Sequence, residues 1–171
     1  PLDAGAYEVI LEPYAVATLI GFLSRMAFSA RAVQEGRSPL SGKLGRRVMS
    51  EKINLVDDGL DPAGLPVPFD SEGVPKRRLE LVSNGVAAGV AYDSQRAGRE
   101  DRESTGHATR GGRGPAPSNV FCLPGAETVD DMVSSTRRGL IVTRFHYVNP
   151  VHALRTLRGR LPVAHHHASR G

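Results

Sequence analysis

The sequence predicts an α+β fold: one long amphipathic helix and a short helix packed with a mainly antiparallel sheet that contains a hairpin. Three observations carry this expectation. Tyr7 to Leu11 (YEVIL) reads as a strand, and after it Val16, Leu19, Ile20, Leu23, Met26 and Ala27 recur at the three- and four-residue spacing of one helix face. Leu79 and Leu81 alternate with Arg78 and Glu80 ahead of Ser83-Asn84-Gly85, a turn whose Asn and Gly tolerate the positive φ of a type I′ hairpin. Leu140 to Tyr147 (LIVTRFHY) is dense in β-branched and aromatic residues, the composition of a strand.

Taken in order, the helix opens at Pro13, where a missing N–H costs nothing, and is expected to run to about Glu35 and stop at Gly36. Ser38 to Gly45 is turn-rich; its Gly and Lys do not form a phosphate-binding GxxxxGK[ST] loop. Ile53 to Val56 is a short strand ended by Asp57-Asp58-Gly59. The adjacent carboxylates suggest a divalent cation, but no EF-hand spacing follows, so the reading is a solvated turn. Phe69 to Val74 is a tight acidic turn in which Asp70 and Ser71 can bond their own backbone. Val86 to Tyr92 is the partner strand of the hairpin. Asp93 is placed to cap a short helix (SQRAG), and Gly98 to Ser118 is the least ordered-looking stretch. Val120 to Leu123 is strand-like. Thr128 and Asp131 form a capping-box pattern opening a helix to about Arg138, with Gly139 just past its end. From about Ala153 no element is legible, and 153–171 reads as an irregular Arg/His-rich tail with the character of a frameshifted end.

A chain of 171 residues with 40% apolar and 23% charged composition fits one ordinary domain. Gly and Pro supply about 18% of the chain against about 12% in average usage, which favours short elements and many loops. The net charge of +4 comes from arginine. An Arg-rich nucleic-acid-binding module is one reading of it, but Arg110-Gly111-Gly112 is a single copy with no interleaved aromatic, so nucleic acid is not the expected partner. The single cysteine, Cys122, excludes an internal disulfide framework, and the most apolar stretch, Ala15 to Ala30, is too short to cross a bilayer.

No constellation supplies an active site. A zinc peptidase needs two His one helical turn apart and a Glu to activate water, and neither HExxH nor HExxxH occurs. His107 and His146 lie on separate elements and read as hydrogen-bonding side chains; His152 has no ligand spacing, and His165, His166 and His167 form an exposed run of the kind that binds metal adventitiously. Cys122 sits in an apolar run and reads as an inert small hydrophobe. Ser104 and Thr105 stand beside His107 without making a triad, and Asp70 and Glu72 read as caps of backbone groups rather than an acid/base pair. The catalytic, cofactor-binding and metal-ligating sets are each expected to be empty.

The FDSEGV turn (69–74), the Asn84-Gly85-Val86 turn, the STGHA loop (104–108), LPG (123–125) before a capped helix, and the GLIVT strand (139–143) occur in the order seen in the TldD/PmbA family of metallopeptidase-related proteins. So does the gapped series Ser38, Leu40, Leu44, Gly45 and Val48. Over about Tyr7 to His152 the chain resembles that family, and its PmbA (TldE) branch more than its TldD branch. In the TldD branch the first strand runs into an HExxxH helix that binds zinc; here the same place reads LEPYAVATLIGFL. The resemblance therefore implies a non-catalytic subunit fragment, 1–152, lacking the family's N-terminal region and C-terminal end. It implies zinc in a TldD-like partner and not in this chain, a hetero-oligomer acting on peptides or unfolded protein in the cytoplasm, and no membrane. A catalytic peptidase with ligands outside this chain is the alternative.

Overall fold

The hairpin at Asn84-Gly85 forms as its sequence requires. In the computed structural model, which describes residues 3–152, 156–160 and 167–169, Asn84 and Gly85 take φ of 45° and 75°. They join β3 (Leu79–Ser83) to β4 (Val86–Ala87). With β2 (Leu55–Asp57) and β5 (Val120–Cys122) these strands build an antiparallel sheet in the order β4-β3-β2-β5. Leu81 and Val82 are buried, as are Leu55, Val56 and Ala87, and among the described residues Phe28 is the largest fully buried side chain. The expected α+β architecture, with its hairpin and antiparallel sheet, is what the chain adopts.

Two elements are shorter than the pattern implies, for one reason. The long helix is split into α1 (Pro13–Met26) and α2 (Ala30–Gln34), and Val86 to Tyr92 stays a ladder strand only to Ala87. Ala91 donates its N–H to Phe28 O at 2.9 Å and accepts from Ala30 N at 2.9 Å. Tertiary pairing with the returning strand thus opens the backbone at Ser29, which is extended (φ −105°, ψ 124°), against an apolar stripe that would continue a helix. The other edge of β4 is covered by the turn-rich link, through Gly45 N to Ala87 O and Val48 N to Gly85 O.

The described residues divide into two compact units, the boundary falling within α1: Gly21–Pro124, and a second comprising 3–20, 125–152, 156–160 and 167–169. In the second, β1 (Glu8–Leu11) lies parallel to β6 (Arg138–Val142), and β9 (His167–Ser169) pairs antiparallel with β6. β7 (His146–His152) and β8 (Thr156–Arg160) form a separate two-stranded ribbon. The last two strands fall where the sequence pattern offered no element; the rest of the expected tail lies outside the described residues. LIVTRFHY is not one strand, since β6 stops at Val142 and β7 begins at His146.

The caps of α3 (Ser94–Gly98), in the first unit, and of α4 (Val129–Ser135), in the second, are as expected. Asp93 accepts from Arg96 N, and Thr128 and Asp131 make the full capping box. Gly139 does not end α4. It stands inside β6, where a Cβ would lie 2.8 Å from Glu8 O, so its lack of a side chain serves close approach to β1.

Candidate functional site

The most distinctive chemistry in the Gly21–Pro124 unit is buried. Asp57, at the end of β2, and His107 are both fully inaccessible, and His107 Nε2 donates to Asp57 Oδ2 at 2.8 Å. Because a carboxylate only accepts, this bond fixes the imidazole proton on Nε2. The other ring nitrogen, Nδ1, meets Thr105 Oγ1 at 2.8 Å. With Nδ1 an acceptor, the Thr105 hydroxyl gives its one hydrogen to that nitrogen, Tyr92 O being the competing acceptor at 3.1 Å, while Oγ1 accepts from Tyr92 N at 2.8 Å. Asp57 Oδ1 accepts two backbone N–H groups, from Ser118 at 2.7 Å and Asn119 at 2.8 Å. Desolvation raises the Asp57 pKa, but the His107 bond and the Asn119 and Ser118 amides outweigh it, leaving the pKa below the usual value.

The solvated turn expected at Asp57-Asp58-Gly59 is therefore corrected at its first residue. Asp57 is 0% exposed because it ends a central strand whose neighbours supply a histidine and two amides. The stretch that looked least ordered carries the matching half: Gly98 to Ser118 contains the buried His107 and Pro115.

The acidic turn closes on the same loop. Asp70 Oδ1 accepts from Glu72 N at 2.9 Å and Val74 N at 3.0 Å, and Asp70 Oδ2 accepts from Ala108 N at 2.8 Å. Glu72 Oε2 accepts from Ser94 N. Both carboxylates hold backbone groups, as their sequence context indicated. The FDSEGV turn and the STGHA loop are thus one structural joint, and Gly106 (φ 74°) passes so close to Pro75 that a Cβ would sit 2.4 Å from Pro75 O.

Two further polar clusters flank this joint. Glu35 takes hydrogen bonds from Arg37 and Arg31, which lower its pKa to about 2. Tyr92 donates to Glu100 Oε2 at 2.7 Å, and burial followed by that carboxylate raises the phenol pKa to about 12.

A family model, the PmbA/TldA metallopeptidase C-terminal domain, matches residues 4–158. The chain belongs to the TldD/PmbA family. It is 39% identical over 128 residues to an uncharacterised protein of Methanocaldococcus jannaschii, covering 72% of this chain and 31% of that one. A protein of the same organism named as a metalloprotease is 29% identical over 146 residues, covering 83% and 32%. Among solved structures, TldE of Thermococcus kodakarensis matches with a TM-score of 0.71 and 32% identity, over 82% of this chain and 33% of that chain. A Thermotoga maritima protein named as a candidate modulator of a DNA gyrase matches with a TM-score of 0.80 and 31% identity, over 85% and 34%. The chain spans about a third of the length of the relatives it matches.

In this TldD/PmbA chain the other singled-out residues do not converge. Cys122 is exposed on β5, with a thiol pKa raised by desolvation, so it is a poor thiolate at neutral pH. His146 is exposed on β7, its ring 6.1 Å from that of Tyr147. The side chain of His152 and those of the His165–His167 run lie outside the described residues. Among the described residues no group of three or more His, Cys, Asp or Glu could hold a metal ion, and no helix is long and apolar enough to cross a membrane.

The Asp57–His107 joint carries a pH prediction. A carboxyl whose folded pKa is depressed adds stability that is present above its unfolded pKa, about 3.9, and lost as pH falls through the folded value. Urea midpoints are expected to fall more steeply below about pH 4 for this chain than for Asp57→Asn. Parallel profiles for the two proteins would show that Asp57 does not titrate with unfolding.

Proposed function

We propose that this chain is a PmbA-like, non-catalytic portion of a TldD/PmbA-type metallopeptidase, shaping the path of a peptide and binding a zinc-bearing TldD-like partner in the cytoplasm. The observation that carries the reading is the junction of β1 and α1. β1 ends at Leu11 and α1 begins at Pro13, and the sequence EPYAVAT there has no imidazole at the place where the TldD branch carries HExxxH.

The described residues do not fit a zinc ion. His107 is buried with Nε2 on Asp57 and Nδ1 on Thr105, so neither ring nitrogen is open to a metal. The Asp57–His107 contact resembles the carboxylate–imidazole half of a triad in distance alone. Neither side chain is reachable by substrate, and no step is routed through it.

Zinc per chain, measured by elemental analysis after a mild chelator wash, is expected to be near zero. A pull-down is expected to recover an HExxxH-bearing partner whose peptidase activity rises with this chain present. One tightly held zinc per chain, with hydrolysis by the chain alone, would overturn the proposal.

A further inference from the structure

A pocket of about 480 Å³ opens on the hairpin unit, within the range of small-molecule sites. Its apolar lining comes from Leu44, Leu79, Ala88 and Val90. Arg102 also lines it, its guanidinium over the Tyr92 ring, 5.8 Å from the centroid. Arg102 contacts Glu100 through Nε at 3.4 Å, and its side chain is 62% exposed. Such an exposed pair contributes about 0–1 kcal/mol, so it yields readily to a better acceptor. Glu103 also lines the pocket, held by Arg77 at 2.7 Å.

A pocket that combines apolar lining with one cation on an aromatic plate suits a ligand with an aliphatic body and a single carboxylate. The fork of the guanidinium suits that carboxylate. Glu100 and Glu103 beside it disfavour multiply charged anions such as phosphates. We propose that this pocket binds an aliphatic residue bearing a free α-carboxylate, with its side chain against Leu79 and Val90 and its carboxylate on Arg102. The two sources of that chemistry are a free amino acid and the C-terminal residue of a peptide. The site stands on this geometry whether or not the chain is a peptidase subunit.

The test is calorimetric titration of the full chain with L-leucine, N-acetylglycyl-L-leucine and L-leucinamide. At least one carboxylate ligand is expected to bind saturably at millimolar concentration or below, and leucinamide about tenfold or more weaker. Binding of L-leucine alone assigns the free amino acid; binding of the acetylated dipeptide assigns a peptide end. Arg102→Ala is expected to weaken binding about tenfold and Ala88→Phe to fill the pocket and abolish it. Both positions are exposed, so the unfolding midpoint serves as the control that each variant is folded. No saturable binding of either carboxylate, equal binding of leucinamide, or binding indifferent to Arg102→Ala each overturns the proposal.

Discussion

His107→Ala is expected to lower the unfolding free energy by about 3–5 kcal/mol, the cost of breaking a buried pair by removing one partner. The change strips Asp57 Oδ2 of its donor in a place closed to solvent, and it also removes the Nδ1 contact that helps position Thr105 against Tyr92. Asp57→Asn should cost much less, about 1–2 kcal/mol. Its amide oxygen still accepts from Ser118 and Asn119, and its NH₂ can donate to His107 Nε2 once the imidazole moves its proton to Nδ1 and Thr105 accepts it. Urea unfolding of the two variants checks the order. Amide exchange at Ala108, Ser118 and Asn119 should quicken in His107→Ala, since each of those N–H groups bonds a carboxylate of this joint. If His107→Ala costs under about 1 kcal/mol, the pair does not hold the loop.

Gly106→Ala is expected to cost about 3 kcal/mol, combining the left-handed backbone penalty of about 1–2 with overpacking of about 1–3. The second contribution comes from backbone rather than from a flexible side chain: the added methyl would sit 2.4 Å from Pro75 O and 2.8 Å from Lys76 Cα. Gly42 isolates the first contribution. It has a similar φ of 69° but nothing within 4 Å of its would-be Cβ, so Gly42→Ala should cost only the backbone penalty. Thermal or urea midpoints of the two variants give the comparison. Equal losses would mean that the FDSEGV turn and the STGHA loop move apart freely, and that the close approach at Pro75 is not constrained.

Such effects concentrate in the segments whose order and spacing also carry the family resemblance. The turn at 69–74 and the loop at 104–108 hold each other through Asp70 and the close approach of Gly106 to Pro75, and His107 ties the loop to Asp57. Motif residues here are anchors. The features that offer chemistry to solvent, such as Arg102 over Tyr92, lie beside them in residues that no motif singled out.

The sequence by itself determined whatever depends on neighbours a few residues away. The Asn84-Gly85 turn, the Asp70 turn, the Asp93 cap and the Thr128–Asp131 box all form as read, because each rests on side chain and backbone groups whose distance is set by local geometry. Burial, and the interruption of regular elements, were decided only by the tertiary structure. Asp57 and His107 are fifty positions apart, and nothing in DDG or STGH says which charge goes inside until β2 and the 104–108 loop are brought together. The apolar stripe of the long helix is likewise no guide to its break at Ser29, because the competing hydrogen bonds come from Ala91. Gly139 reads as a helix stop in one dimension and serves as a strand contact in three, since the carbonyl it must clear belongs to Glu8. In each case the deciding partner is remote in the chain, and only folding supplies its position.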